Sequence, residues 1–170
     1  MKSTARSLLL VMLLATAVHA QSRPQVLYVT QSAGFAHPVL PLTEEILPAL
    51  GRQHDAFDID ITRDASILTT DTLNRYDAVV FYTTGELPMT VDQQTAFLEF
   101  IRTGGGFVGI HSATDTFYDW PEYGALIGGY FDNHPWREEV SVRVEDQTHP
   151  ATQHLAERFK INDEIYQFKQ

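Results

Sequence analysis

Short apolar runs alternate with segments of helical period along most of this chain, and that alternation leaves few folds open. Ala78 to Tyr82 is an unbroken apolar run after Tyr76-Asp77, the pattern of a strand buried on both faces. Val26 to Thr30 reads as another buried strand, ending at the loop residues Gln31-Ser32-Ala33-Gly34. Between them, Val39, Leu42, Ile46, Leu47 and Leu50 recur at helical spacing. Pro38 and Pro41 suit the start of that helix, and Pro48 is expected to kink or end it. Phe57 to Thr62 alternates with period two, as a strand does. Thr90 with Gln93 forms a capping-box pattern, and Phe97, Leu98 and Ile101 mark the buried face of a helix that stops at Gly104. A fourth strand follows at Gly106 to Ile110. Val140, Val142 and Val144 alternate with Ser141 and Arg143, giving a fifth strand exposed on one face. Strands separated by helices argue for a mainly parallel, doubly wound α/β sheet in one domain.

The N-terminus reads as an address. Lys2 and Arg6 precede the apolar run Leu8 to Leu14, and Val18-His19-Ala20 offers small residues before Gln21. We expect residues 1–20 to be a secretory signal peptide and residues 21–170 to be the domain. The apolar run is short for a bilayer, so no stable membrane span is expected after its removal. The chain ends at Glu164-Ile165-Tyr166-Gln167-Phe168-Lys169-Gln170, which resembles the opening of another strand, so the domain is expected to be incomplete at its C-terminal side.

Charge and cysteine content narrow the chemistry. The formal net charge of -10 becomes more negative when Lys2 and Arg6 are removed, which disfavours nucleic acid and anionic lipid as partners. A neutral small molecule or a bound cation suits this chain better. There is no cysteine among the 170 residues, so disulfides, thiolate catalysis and cysteine-bound metal are excluded.

The chemistry-bearing residues gather after the strands. In Gly104-Gly105-Gly106-Phe107-Val108-Gly109-Ile110-His111-Ser112-Ala113, a strand runs straight into an imidazole at a sharp turn. Open α/β sheets bind ligands just beyond the carboxyl ends of their strands, so His111 is the first candidate. The glycines precede the strand, which is not a dinucleotide fingerprint, and no Lys follows to make a P-loop. His37, after Gly34-Phe35-Ala36, lies on the same sheet edge. His134 and Trp136 fall in the glycine-rich aromatic stretch from Gly128, and His149 in Thr148-His149-Pro150, both read as loops. His54 and His154 read as surface positions. His111, His37 and His134 could together hold a divalent ion such as zinc, or divide into one general base and two substrate binders. Asp115 stands one helical turn after His111, where it either orients the imidazole or is a solvated carboxylate. Glu86, Asp119, Asp132, Asp163 and Glu164 are further carboxylates near this edge. Phe117, Tyr118, Trp120, Tyr123, Tyr130, Phe131 and Trp136 crowd the region, as core or as faces for sugar rings.

Gly105 to Asp115 resembles the signature of the ThuA-like, trehalose-utilisation family. Trp120-Pro121-Glu122-Tyr123, Leu126 to Phe131, His134-Pro135-Trp136, Thr148-His149-Pro150 and Asp163-Glu164-Ile165-Tyr166 continue the resemblance. It implies a flavodoxin-like three-layer sandwich similar to class I glutamine amidotransferases, with His111 where those enzymes carry their cysteine. Glutamine hydrolysis through a thioester is then unavailable. The resemblance also implies an exported protein, periplasmic or extracellular, that takes a disaccharide or glycoside, keto sugars included. On that reading His111 and Asp115 are catalytic. His37, His134, Trp136, Tyr118, His149 and Glu164 bind substrate, and Asp115, His149 and Glu164 orient it or complete a metal shell. The alternative is a glycan-binding module that uses the aromatic residues without catalysis.

Overall fold

The computed structural model describes residues 22–169; the expected signal peptide lies outside the described residues. Four strands form one parallel sheet: β1 (Gln25–Val29), β2 (Asp58–Thr62), β3 (Ala78–Phe81) and β4 (Gly106–Gly109), in the order β2-β1-β3-β4. That order is the flavodoxin-like one, in which the chain reverses its direction of winding between β1 and β3. Helix α1 (Leu40–Gln53) covers one face; α2 (Thr70–Leu73), α3 (Val91–Arg102) and α4 (Pro121–Ile127) belong to the other.

The period of two along each strand divides the core in two. Leu27, Val29, Val79 and Phe81 point to one side and pack with Leu73, Phe97 and Tyr123. Val26, Tyr28, Val80 and Tyr82 point to the other and pack with Leu40 and Leu47 of α1. Both faces of β1 and β3 are buried, which is why those runs are apolar without alternation. The capping box at Thr90 and Gln93 is formed, and α3 stops after Arg102 where Gly104 takes φ +111°.

Three expectations are corrected. Helix α1 is not ended by Pro48 but continues to Gln53, because Leu40, Leu47 and Gly51 hold it against the sheet. Most of its periodic apolar residues do not face the core: Val39, Leu42, Ile46 and Leu50 are each at least 40 % exposed, and only Leu47 of that set packs inward. The fifth strand does not join the parallel sheet. It is part of a long strand, β5 (Tyr130–Arg143), paired antiparallel with β6 (Arg158–Lys169) as a separate two-stranded ribbon. A hairpin partner directly downstream in sequence captures the ladder that the edge of β4 would otherwise have offered.

Candidate functional site at the carboxyl edge of the sheet

His111 sits where β4 turns over. Ile110 is still extended, and His111 itself has φ +48°, a left-handed conformation uncommon for any residue but glycine. The chain then tightens into a 3-10 turn over His111–Asp115. Small residues on either side make this bend feasible. A Cβ on Gly109 would lie 2.7 Å from Ile127 Cδ1 and 3.1 Å from the Ala113 Cβ. The geometry is that of a strand-to-helix elbow, which lifts one side chain clear of the sheet.

The loops after β1 and β3 are stitched to this elbow. Ala33 and Gly34 N–H groups donate to the Thr84 carbonyl at 2.7 and 3.2 Å, and Gly85 N–H donates to the Asp115 carbonyl at 2.7 Å. Gly85, with φ +73°, is required there: a Cβ would stand 2.5 Å from the Gly34 nitrogen. Buried hydroxyls of Thr83 and Thr116 meet at 2.9 Å beneath. These contacts bring His37 from the first loop against His111, ring centroids 4.9 Å apart and edge to face. Tyr82, buried at the end of β3, packs on both imidazoles. The site therefore flanks the β1/β3 switch point, where open α/β sheets bind ligands.

The ribbon supplies the opposite wall. Tyr166 Oη lies 3.0 Å from His111 Nε2, and Glu164 Oε2 lies 3.8 Å from the same nitrogen. Register shifts between Phe131 and Asn133, and again between Asn133 and Trp136, re-aim β5. They put Phe131 and His134 on the face of Tyr166, with ring centroids 4.6 and 5.7 Å from it. Tyr118 ties ribbon to elbow: its hydroxyl stands 2.5 Å from Asp115 Oδ1 and 2.9 Å from the Phe131 carbonyl oxygen.

Burial and charge set the protonation states. Burial first, then the neighbouring His111 ring, holds His37 below the ordinary histidine range, against the opposing pull of Glu164 and Asp115. Burial first, then Glu164 and Asp115, pushes the Tyr166 phenol well above its usual range, so it keeps its proton at neutral pH. Burial and the Asp115 contact do the same for Tyr118.

The expected site residues thus separate. His111, His37, Glu164 and, one ring further out, His134 converge; Tyr118 and Asp115 flank them. Asp115 does not orient the imidazole: its carboxylate is engaged by Tyr118, and Tyr166 with Glu164 take the place beside His111. The zinc triad is not assembled. The Tyr166 ring lies between His111 and His134, and among the described residues no three His, Asp or Glu side chains are grouped to hold a metal. His134 and Trp136 are on a strand rather than a loop. Trp136 pairs with Ile165, so it faces away from Tyr166 and is 52 % exposed. His149 is apart from the cluster, in the connection between β5 and β6, its Nδ1 accepting from Ala151 N–H at 3.1 Å. Glu86 accepts from Asp119 N–H, and Asp132 pairs with Lys169, so these carboxylates serve local contacts. Trp120 and Tyr123 are core. The sequence does not single out Tyr82 or Tyr166 as a site residue, although Tyr166 ends the Asp163-Glu164-Ile165-Tyr166 motif; only the meeting of two sheets makes them part of the site.

No functionally curated protein matches this chain. The crystal structure of a ThuA-like protein from Bacteroides uniformis is similar to it, with a TM-score of 0.71 and 29% sequence identity, covering 92% of this chain and 65% of that one. The chain spans 65% of the length of that relative. The flavodoxin-like architecture agrees with this likeness, and the lack of any cysteine sets the chain apart from thiol amidotransferases. The family described as ThuA, trehalose utilisation, matches residues 25–170, and the chain belongs to that family.

Proposed function

We propose that this protein acts in carbohydrate catabolism on a disaccharide or related glycoside, keto sugars included, and that His111 is its general acid/base. One observation carries the reading: the elbow presents His111 with Nε2 3.0 Å from the Tyr166 hydroxyl and 3.8 Å from a Glu164 oxygen. A phenol that holds its proton fixes the imidazole's orientation, and a carboxylate stabilises the imidazolium that forms when it takes a proton. Removal of a proton next to a ketone needs a base that works near neutral pH, and histidine is one. Aromatic rings beside it, Phe131 and Tyr166, suit the apolar faces of a sugar. The sequence of residues 1–20 supports export to the periplasm or medium. N-terminal sequencing of the secreted protein tests that part, with Gln21 as the expected first residue.

The test is turnover of keto-glycosides and their parent glycosides by the full chain, followed by NMR. His111→Gln should lower the rate by roughly 10²- to 10⁴-fold, the usual contribution of a general acid/base. Unchanged turnover in that variant would sink the assignment. The exposed Trp136 favours a second reading, a glycan-binding surface on the far face of the ribbon. It requires saturable sugar binding that survives His111→Gln and is lost in Trp136→Ala.

A further inference from the structure

We propose that His37 donates a hydrogen bond from Nε2 to a carbonyl oxygen of the substrate, and that His111 alone moves the proton. This rests on the reading of a carbonyl-bearing sugar given above, and it assigns the two imidazoles different tasks.

The two rings touch but are held differently. His111 is engaged by Tyr166 and Glu164. His37 Nδ1 is buried and has no hydrogen-bond partner among the described residues. The Phe35 carbonyl acts weakly on the ring, forms no hydrogen bond with Nδ1, and already accepts from the Thr84 hydroxyl at 2.9 Å. A proton on Nδ1 would be a buried donor with no acceptor in good hydrogen-bonding geometry. Orphaned buried N–H groups are rarer than under-satisfied acceptors. The single proton of a neutral ring therefore belongs on Nε2, which makes His37 a donor there and not a base.

Its surroundings keep the ring neutral. Facing it are His111 and Asp115 from the elbow, Tyr82 just after β3, and Glu164 from β6. Arg63, at the end of β2, lines the same hollow but is held by Glu44 at 2.8 and 2.5 Å. Burial and the neighbouring imidazole outweigh the two carboxylates. A neutral imidazole N–H is well suited to an enolate-forming step, because it stabilises the oxyanion without surrendering its proton to solvent.

The step balances without a further reactant. His111 takes the proton from the carbon beside the ketone. The C–H electron pair becomes a carbon–carbon double bond, and charge moves onto the carbonyl oxygen facing His37. Where a glycosidic oxygen stands on the next carbon, its C–O bond breaks as the carbonyl reforms. The alcohol leaves with the proton returned by His111.

The experiment has two arms on the full chain. In the first, nitrogen NMR of histidine-labelled protein, assigned with His37→Gln, should show one proton on His37, at Nε2, at pH 7. A proton on Nδ1, or on both nitrogens, overturns the proposal whatever the substrate. In the second, difference infrared spectra follow a keto-glucoside labelled with ¹³C at its carbonyl. The bound carbonyl band should shift down in wild type and in His37→Gln, which keeps an N–H donor, and return to its free position in His37→Ala. A bound sugar with the same shift in His37→Ala overturns the proposal alone. Failure of wild type to bind any keto-glucoside overturns the functional reading beneath it, and this proposal with it.

Discussion

His37 and His111 show how two identical side chains acquire different chemistry from their attachments. One hangs from a loop tied to Thr84, with a buried nitrogen; the other stands on a left-handed elbow beside a phenol and a carboxylate. The depressed His37 titration has a consequence for stability. The unfolded chain binds a proton to this residue near the ordinary value of 6.5, and the folded chain only at lower pH. In that interval the unfolded state holds more protons, so stability rises with pH there. The contribution is fully present above the unfolded value and is lost as pH falls towards the folded one. Denaturant unfolding from pH 7.5 down to 5 should therefore lose less stability in His37→Gln than in wild type. Equal slopes would show that His37 titrates alike in both states. The roles of the other residues were unevenly legible. His111 stands out in sequence because it ends an apolar strand. Asp115 does not orient it, since helical spacing gave the separation but not that Tyr118 would claim the carboxylate.

At the scale of single elements, α1 and α3 make opposite points. Gly51 lies in α1, where alanine would ordinarily gain about 1 kcal/mol of helix propensity. Here the added Cβ would meet the Phe57 carbonyl at 2.5 Å and its ring at 2.8 Å. Gly51→Ala should thus destabilise the protein, by about 1–3 kcal/mol, the usual cost of overpacking; a gain in melting temperature would contradict this contact. Thr90 caps α3 reciprocally with Gln93, and Thr90→Ala should cost about 1 kcal/mol in equilibrium unfolding. The capping box was plain in sequence because both partners lie within one turn. The orientation of α1 was not. Its periodic stripe of Val39, Leu42, Ile46 and Leu50 reads as the core face. The sheet instead takes Leu40, Leu47 and Gly51, because contacts of the helix with Tyr28, Thr30 and Phe57 fix its rotation.

Across the whole molecule, the site is divided between two sheets that share no ladder. His37, Tyr82 and His111 come from the parallel sheet; Glu164, Tyr166 and His134 come from the ribbon. Tyr118 is a clasp between them, and Tyr130 adds a second through its hydroxyl to the Trp120 carbonyl at 2.6 Å. Tyr118→Phe removes the polar part of the first clasp. It should cost about 1–2 kcal/mol, as a lost partly buried hydrogen bond does. More specifically, amide exchange should quicken in Tyr130–Trp136 and Glu164–Phe168 while β1 and β3 keep their protection. Uniform acceleration across both sheets would show that the ribbon does not open by itself.

The order of β1 to β4 with α1 and α3 between them, the buried character of β1 and β3, the capping box and the prominence of His111 were all determined by the sequence. Each depends on residues close together along the chain. Period two, period 3.6 and local capping are written there directly. The separation of β5 from the parallel sheet, the bulges that turn His134 towards Tyr166, the burial of Trp120 and the exposure of Trp136 were decided by the tertiary structure alone. So was the pairing of His111 with Tyr166, 55 residues away. Contacts between distant segments depend on which surface each element presents after packing. That choice is made by the sum of many weak side-chain contacts, and no single spacing records it.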